Sequence, residues 1–166
     1  MTSFARCISS SGKPWTELDY CQALTTCAPI YGQLKTTFPE VFAVNALYTY
    51  GLVVIVSTRC RYGGFAKSVG MRVLSTPHGL GYAKVVIVVD ENVDPFDLNQ
   101  VMWAISVNVN PAEDVMILPN LSVNLIDPAG IVHKMIIDAT TPIVADRRGH
   151  YGQELDRLNG ERNSPR

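Results

Sequence analysis

Five consecutive β-branched apolar residues inside Lys84–Asp90 (KVVIVVD) constrain this chain more than any other stretch. Apolar side chains at both odd and even positions leave no strand face for water. Such a strand must be covered on both sides, as in a parallel sheet flanked by helices. The flanking sequence supplies the covers. Upstream, Phe65, Val69, Val73 and Leu74 recur at helical spacing after Gly63-Gly64. Thr76-Pro77 stops that helix, because proline disfavours helix in the residue before it. His78-Gly-Leu-Gly81 then reads as a flexible loop. Downstream, Asp94 is the expected N-cap and Pro95 the first-turn residue of a second helix. Its apolar stripe is Leu98, Val101, Met102 and Ile105, and Pro111 closes the unit.

Further strands surround this centre. Val41–Tyr48 is rich in β-branched and aromatic residues, and Leu52–Thr58 (LVVIVST) is a short apolar run. Tyr50-Gly51 between them predicts a hairpin. Ahead of it, Pro29 fits the first turn of a short helix with Ile30, Tyr31 and Leu34 on one face, ended by Phe38-Pro39. Val115–Leu118 is another short strand, and Lys134–Asp138 the last. Strand–helix–strand crossovers imply parallel neighbours and the hairpin an antiparallel pair. The expected fold is an α/β (or α+β) sandwich: a mixed, mainly parallel sheet of four to five strands with packed helices. The expected boundaries are a loose arm over 1–13, a domain over 14–151 and a polar tail over 152–166.

A chain of 166 residues can bury a sufficient core as one domain. Charged residues are 17% of the sequence, so some apolar surface is expected to be covered by a partner. A net charge of -1 gives no basic excess for nucleic acid or anionic membrane. Cys7, Cys21, Cys27 and Cys60 form no C-x-x-C pair and lie far in sequence from the histidines. They read as packed, reduced thiols, not a zinc site. The first residues lack an apolar signal core, and no apolar run spans a bilayer, so a cytoplasmic location is expected. Asn120-Leu121-Ser122 fits a glycosylation sequon by chance.

Three groups could carry chemistry. Asp90, Asn92 and Asp94 match the start of a calcium loop. Pro95 then stands where glycine is needed, and Val101 where a bidentate glutamate is needed. Asp90, Glu91, Asp94 and Asp97 read better as carboxylates at a strand end and a helix start, favoured by the helix dipole. Arg59, Arg61 and Tyr62-Gly63-Gly64 lie between a strand and a helix, where backbone N–H groups could meet an anion. They carry no P-loop lysine, and a tight turn explains the glycines. His78 could bind an anion or relay a proton, though an exposed loop histidine is the plainer reading. His133-Lys134 and Arg147-Arg148-Gly149-His150 are basic spots in late loops. No G-x-S-x-G is present. Residues alone therefore give no catalytic or metal-ligating set.

The stretch KVVIVVDENVDPFDLNQVMWAISVNVNP, followed by DVMILP, resembles the C-terminal domain of the UbiD family of decarboxylases. YGGFAKSVGMR, TPHGLGY, KMIIDATTP and RRGHY continue the likeness over Pro14 to Tyr151, most like the large subunit of hydroxyarylic acid decarboxylases acting on 4-hydroxybenzoate or vanillate. The resemblance implies a larger enzyme that uses prenylated FMN, made by a UbiX-like prenyltransferase, with manganese and a monovalent cation. It implies that those ligands and the acid–base network sit in two preceding domains, so this chain is expected to bind no cofactor and to be inactive alone. It further implies that this domain closes over the active site and forms a homo-oligomer interface. Leu125, in the loop Leu121 to Pro128, aligns with an apolar substrate-lid residue. His78 aligns near a basic residue that meets the flavin phosphate. Asn108, a short loop between Asp127-Pro128 and Lys134, and the polar tail depart from the pattern. The alternatives are a non-catalytic oligomerisation module, or a small-anion-binding module using the Arg59–Gly64 and His78 loops.

Overall fold

A computed structural model describes residues 17–48, 51–122 and 131–143, with side chains from Thr25 onward except at 47–48. The elements are α1 (Glu17–Thr37), β1 (Val41–Tyr48), β2 (Val53–Thr58), α2 (Phe65–Ser75), α3 (Pro77–Gly81), β3 (Val85–Asp90), α4 (Leu98–Asn108), α5 (Pro111–Asp114), β4 (Val115–Ser122) and β5 (Ile131–Asp138). The sheet order is β1-β2-β3-β5-β4. Strands β2, β3 and β5 run parallel, and β1 and β4 flank them antiparallel. The fold is the mixed five-stranded α/β arrangement that the sequence predicts.

Strand β3 is central, and its alternation explains its composition. Val86 and Val88 join the core on one face, with Val54, Val56 and Ile136 from the neighbouring strands. Ile30 and Leu34 of α1 and Phe65, Val69 and Val73 of α2 cover that face. Ile87 and Val89 point the other way, with Ile55, and meet Val101 and Ala104 of α4. Each fully buried valine or isoleucine contributes about 1.5–3 kcal/mol. Helix α2 lies close on β5: a Cβ at Gly70 would come within 2.6 Å of Ile136 Cγ2. Cys27 and Cys60 are free thiols packed against this core.

Four local expectations are corrected. Pro29 lies inside the 21-residue α1, not at its first turn. One missing backbone bond is tolerated because Ile30 and Leu34 are fully buried against the sheet. Asp97, not Asp94, caps α4, accepting from the Asn99 N–H at 2.9 Å. Asp94 instead closes its own turn through the Phe96 N–H at 2.9 Å. The stripe of α4 is rotated: Val101 and Ala104 are buried, whereas Leu98 and Met102 are 46% and 56% exposed. Finally, Pro77–Gly81 forms the short helix α3, because the Thr76 hydroxyl caps it by accepting from the Gly79 N–H at 3.0 Å.

Candidate functional site

Three parallel strands place their N-terminal ends on one edge of the sheet and their C-terminal ends on the other. The two edges differ in chemistry.

The N-terminal edge carries Gly51, before β2, and helix α3, before β3. Gly51 has φ 72°, and a Cβ there would lie 2.4 Å from His78 Nε2. The left-handed backbone favours glycine there, and the tip of the His78 ring occupies the space that a side chain would take. The half-buried His78 ring stacks on Tyr82, with centroids 4.9 Å apart and planes at 18°. It also lines a cavity of about 210 Å³ with Thr25, Thr26, Pro29 and Ile30. Gly79 backs onto α2 so closely that a Cβ would meet the Val73 carbonyl oxygen at 1.9 Å. From β5, the Lys134 ammonium donates to the carbonyls of Gly79 at 2.6 Å and Leu80 at 2.9 Å. Lys134 is only 1% exposed, and burial pushes its pKa down. Leu125 lies outside the described residues.

The C-terminal edge is acidic and hydrogen-bonded. Asp138 Oδ1 accepts from the Thr140 N–H at 3.1 Å and hydroxyl at 2.6 Å. Asp90 Oδ2 accepts from the Thr141 N–H at 2.7 Å and hydroxyl at 2.5 Å. Together these bonds fold the chain after β5 over β3. Burial pushes the Asp138 carboxyl up, Asp114 adds to this, and the Thr140 bonds and Lys67 oppose it. Burial likewise pushes the Cys60 thiol up to about 11; a hydrogen bond with Thr140 opposes this and the charges of Asp138 and Asp90 add to it. A cavity of about 420 Å³ opens here, lined by Cys60, Gly64, Lys67, Asp114, Asp138 and Thr140 among others. The cations near this edge, of which Lys67 lines the cavity, are engaged. Arg59 pairs with Glu91 at 2.6 Å, Arg61 pairs with Glu40, and Lys67 donates to the Glu113 carbonyl at 2.6 Å. Gly64 has φ 80° and serves the turn into α2. The Arg59–Gly64 segment therefore presents paired guanidiniums beside carboxylates, a poor setting for an anion. Glu91, Asp94 and Asp97 are likewise occupied by an ion pair, a turn and a cap.

The residue-by-residue reading missed Lys134 as a buried group. The signal was present: in IVHKMIID it has the same parity as Ile136, and period two places both on the core face. Asn108, where the resemblance leads one to expect a basic residue, donates to the Ala139 carbonyl at 3.0 Å and ties α4 to the end of β5.

Residues 19–139 match the model of the 3-octaprenyl-4-hydroxybenzoate carboxy-lyase C-terminal domain. The chain belongs to the UbiD C-terminal domain family. A phenolic acid decarboxylase from Bacillus subtilis (strain 168) is 61% identical over 150 residues, 87% of this chain and 32% of that protein. The vanillic acid decarboxylase of Sedimentibacter hydroxybenzoicus in open form superposes with TM-score 0.77 at 50% identity, over 90% of this chain and 35% of that one. An evolved dimeric form of the UbiD-class enzyme HmfF from Pelotomaculum thermopropionicum, in complex with prFMN, gives TM-score 0.56 at 25% identity, covering 76% of this chain and 27% of that one. This UbiD-family chain thus spans about a third of the length of the decarboxylases it matches.

Among the described residues, no three metal-ligating side chains converge. The cavity beside His78, about 210 Å³, is smaller than the ~300–1,000 Å³ of a small-molecule site. The larger cavity is lined by Glu113, Asp114 and Asp138, which would repel a flavin phosphate. The described residues do not fit a self-contained site for either group. No helix among them is long and apolar enough to cross a membrane.

Proposed function

We propose that this chain is the C-terminal portion of a prenylated-FMN-dependent decarboxylase of hydroxyarylic acids, and that it does not decarboxylate without the remaining domains. The observation that carries this reading is 61% identity to a phenolic acid decarboxylase over 150 residues. In this reading the N-terminal sheet edge faces the reaction centre. His78 lends its ring to the flavin phosphate and Leu125 caps the aromatic substrate. His78 comes from helix α3, which precedes the central strand β3. The other domains supply the manganese and monovalent-cation ligands and the acid–base groups. A UbiX-like prenyltransferase supplies the cofactor, in the cytoplasm.

A second role within the same enzyme is self-association. Helix α4 turns Leu98, Met102, Trp103 and Val107 outward, and Trp103 and Val107 are 60% and 61% exposed. An apolar helix face of this kind is costly to leave in water and fits a second copy of the chain. Self-association without any catalytic role is the competing reading.

The test mixes the purified chain with prenylated FMN on a sizing column and assays 4-hydroxybenzoate and vanillate for released carbon dioxide. No co-eluting flavin and no turnover are expected. Tight one-to-one flavin binding, or turnover by the chain alone, would overturn the assignment of the cofactor site to other domains. Light scattering at tens of micromolar reads the α4 face, and a strict monomer refutes self-association.

A further inference from the structure

Lys134 is an ammonium group inside a hydrophobic fold, and its two acceptors lie 55 and 54 residues away in sequence. Both are carbonyls at the end of α3, where a helix has no backbone donors of its own to offer. The turn they belong to is held from the other side as well. Gly79 abuts the Val73 carbonyl of α2, and the Thr76 hydroxyl both donates to that carbonyl at 2.7 Å and caps α3. His78 is thus carried on a turn clamped between α2 and β5, stacked on Tyr82 and set against Gly51.

We propose that Lys134 is a positioning residue: its ammonium, bonded to Gly79 and Leu80, sets the posture of the His78 ring at the N-terminal sheet edge. An apolar side chain of similar length would fill the same space without the desolvation that burying a charge costs. What the ammonium adds is direction, since charge-assisted bonds to two adjacent carbonyls orient the turn that carries them. The same bonds join that turn to β5. The use of this posture rests on the proposed decarboxylase reading; the posture itself does not.

The test follows the His78 ring protons by NMR, with backbone amide exchange, in the full chain and in Lys134→Met and Lys134→Arg. The stack on Tyr82 shifts the His78 ring signals away from those of free histidine in the wild type. In Lys134→Met the sheet remains protected while the His78 shift collapses. The Tyr82 amide, which donates to the His78 carbonyl at 2.8 Å, exchanges at least about tenfold faster relative to Val88, the minimum expected when two charge-assisted bonds are lost. Lys134→Arg restores both signals in part. A merely stabilising lysine would lower protection everywhere and leave the His78 shift of the folded molecules in place, and that result overturns the proposal. Should Lys134→Met not fold, wild-type exchange at low denaturant decides. Tyr82 is expected to open together with the Met135 amide of β5, and a separate, easier opening of Tyr82 refutes the clamp.

Discussion

Phe65 offers the sharpest measurement of how the fold is held. It is 2% exposed at the start of α2 and makes edge-to-face contacts with Phe38 and Tyr62, each with centroids 5.3 Å apart. Two terms stabilise it, and two substitutions separate them. Phe65→Leu keeps an apolar side chain in the core but loses both ring pairs, each worth ~0.5–1.5 kcal/mol, giving about 1–3 kcal/mol in all. Phe65→Ala also leaves a cavity, and the usual cost is about 3–5 kcal/mol. In a domain of this size 1 kcal/mol moves Tm by roughly 2–4 °C, so the alanine variant should melt about 6–20 °C lower. Urea unfolding followed by circular dichroism measures both variants. A cycle with Phe38→Leu should return a coupling of about 0.5–1.5 kcal/mol with Phe65. A Phe65→Ala cost below about 1 kcal/mol, or no coupling to Phe38, would refute the packing of α2 described above.

Other outcomes follow from the charged edge and the exposed helix. Asp138 has a folded pKa above its unfolded value, so it contributes stability that is fully present below the unfolded pKa and is lost as pH rises through the folded pKa. Asp138→Asn should flatten that part of the stability–pH curve in urea titrations run from pH 4 to 7, and an unchanged curve would contradict the burial of this carboxyl. In a variant whose other cysteines are serine, Cys60 should react with a maleimide at a rate that climbs with pH towards about 11. A plateau near pH 8 would show an ordinary exposed thiol. Trp103→Glu, at a site 60% exposed, should change stability by less than about 0.5 kcal/mol yet weaken self-association in light scattering.

How much of this was legible in the sequence depended on whether the signal was local. The run at Val85–Val89 announced a strand buried on both faces, and the helix pattern from Phe65 gave α2 within a residue. Boundaries failed where a side chain far away, or a cap, decided them. Pro29 continues α1 only because Ile30 and Leu34 reach the sheet. Pro77–Gly81 becomes a helix only because Thr76 caps it and Lys134 takes its carbonyls. On α4, Leu98 and Met102 share a helical stripe with Val101, but the angle of approach buries Val101 and Ala104 and leaves the other two outside.

The site divides in the same way. Sequence by itself determined the secondary-structure alphabet, the mixed sheet and the family, because period-two and period-3.6 patterns and long identical stretches are properties of the chain alone. It could also show His78 beside glycines, and Lys134 on the inward parity of its strand. Only the tertiary structure decided that Lys134 meets Gly79 and Leu80, that Arg59 and Arg61 are consumed by Glu91 and Glu40, and that Asp90 is bound by Thr141. Those partners are brought together by strand order. Which strands become neighbours is set by how the helices cover both faces of β3, and no local pattern encodes it.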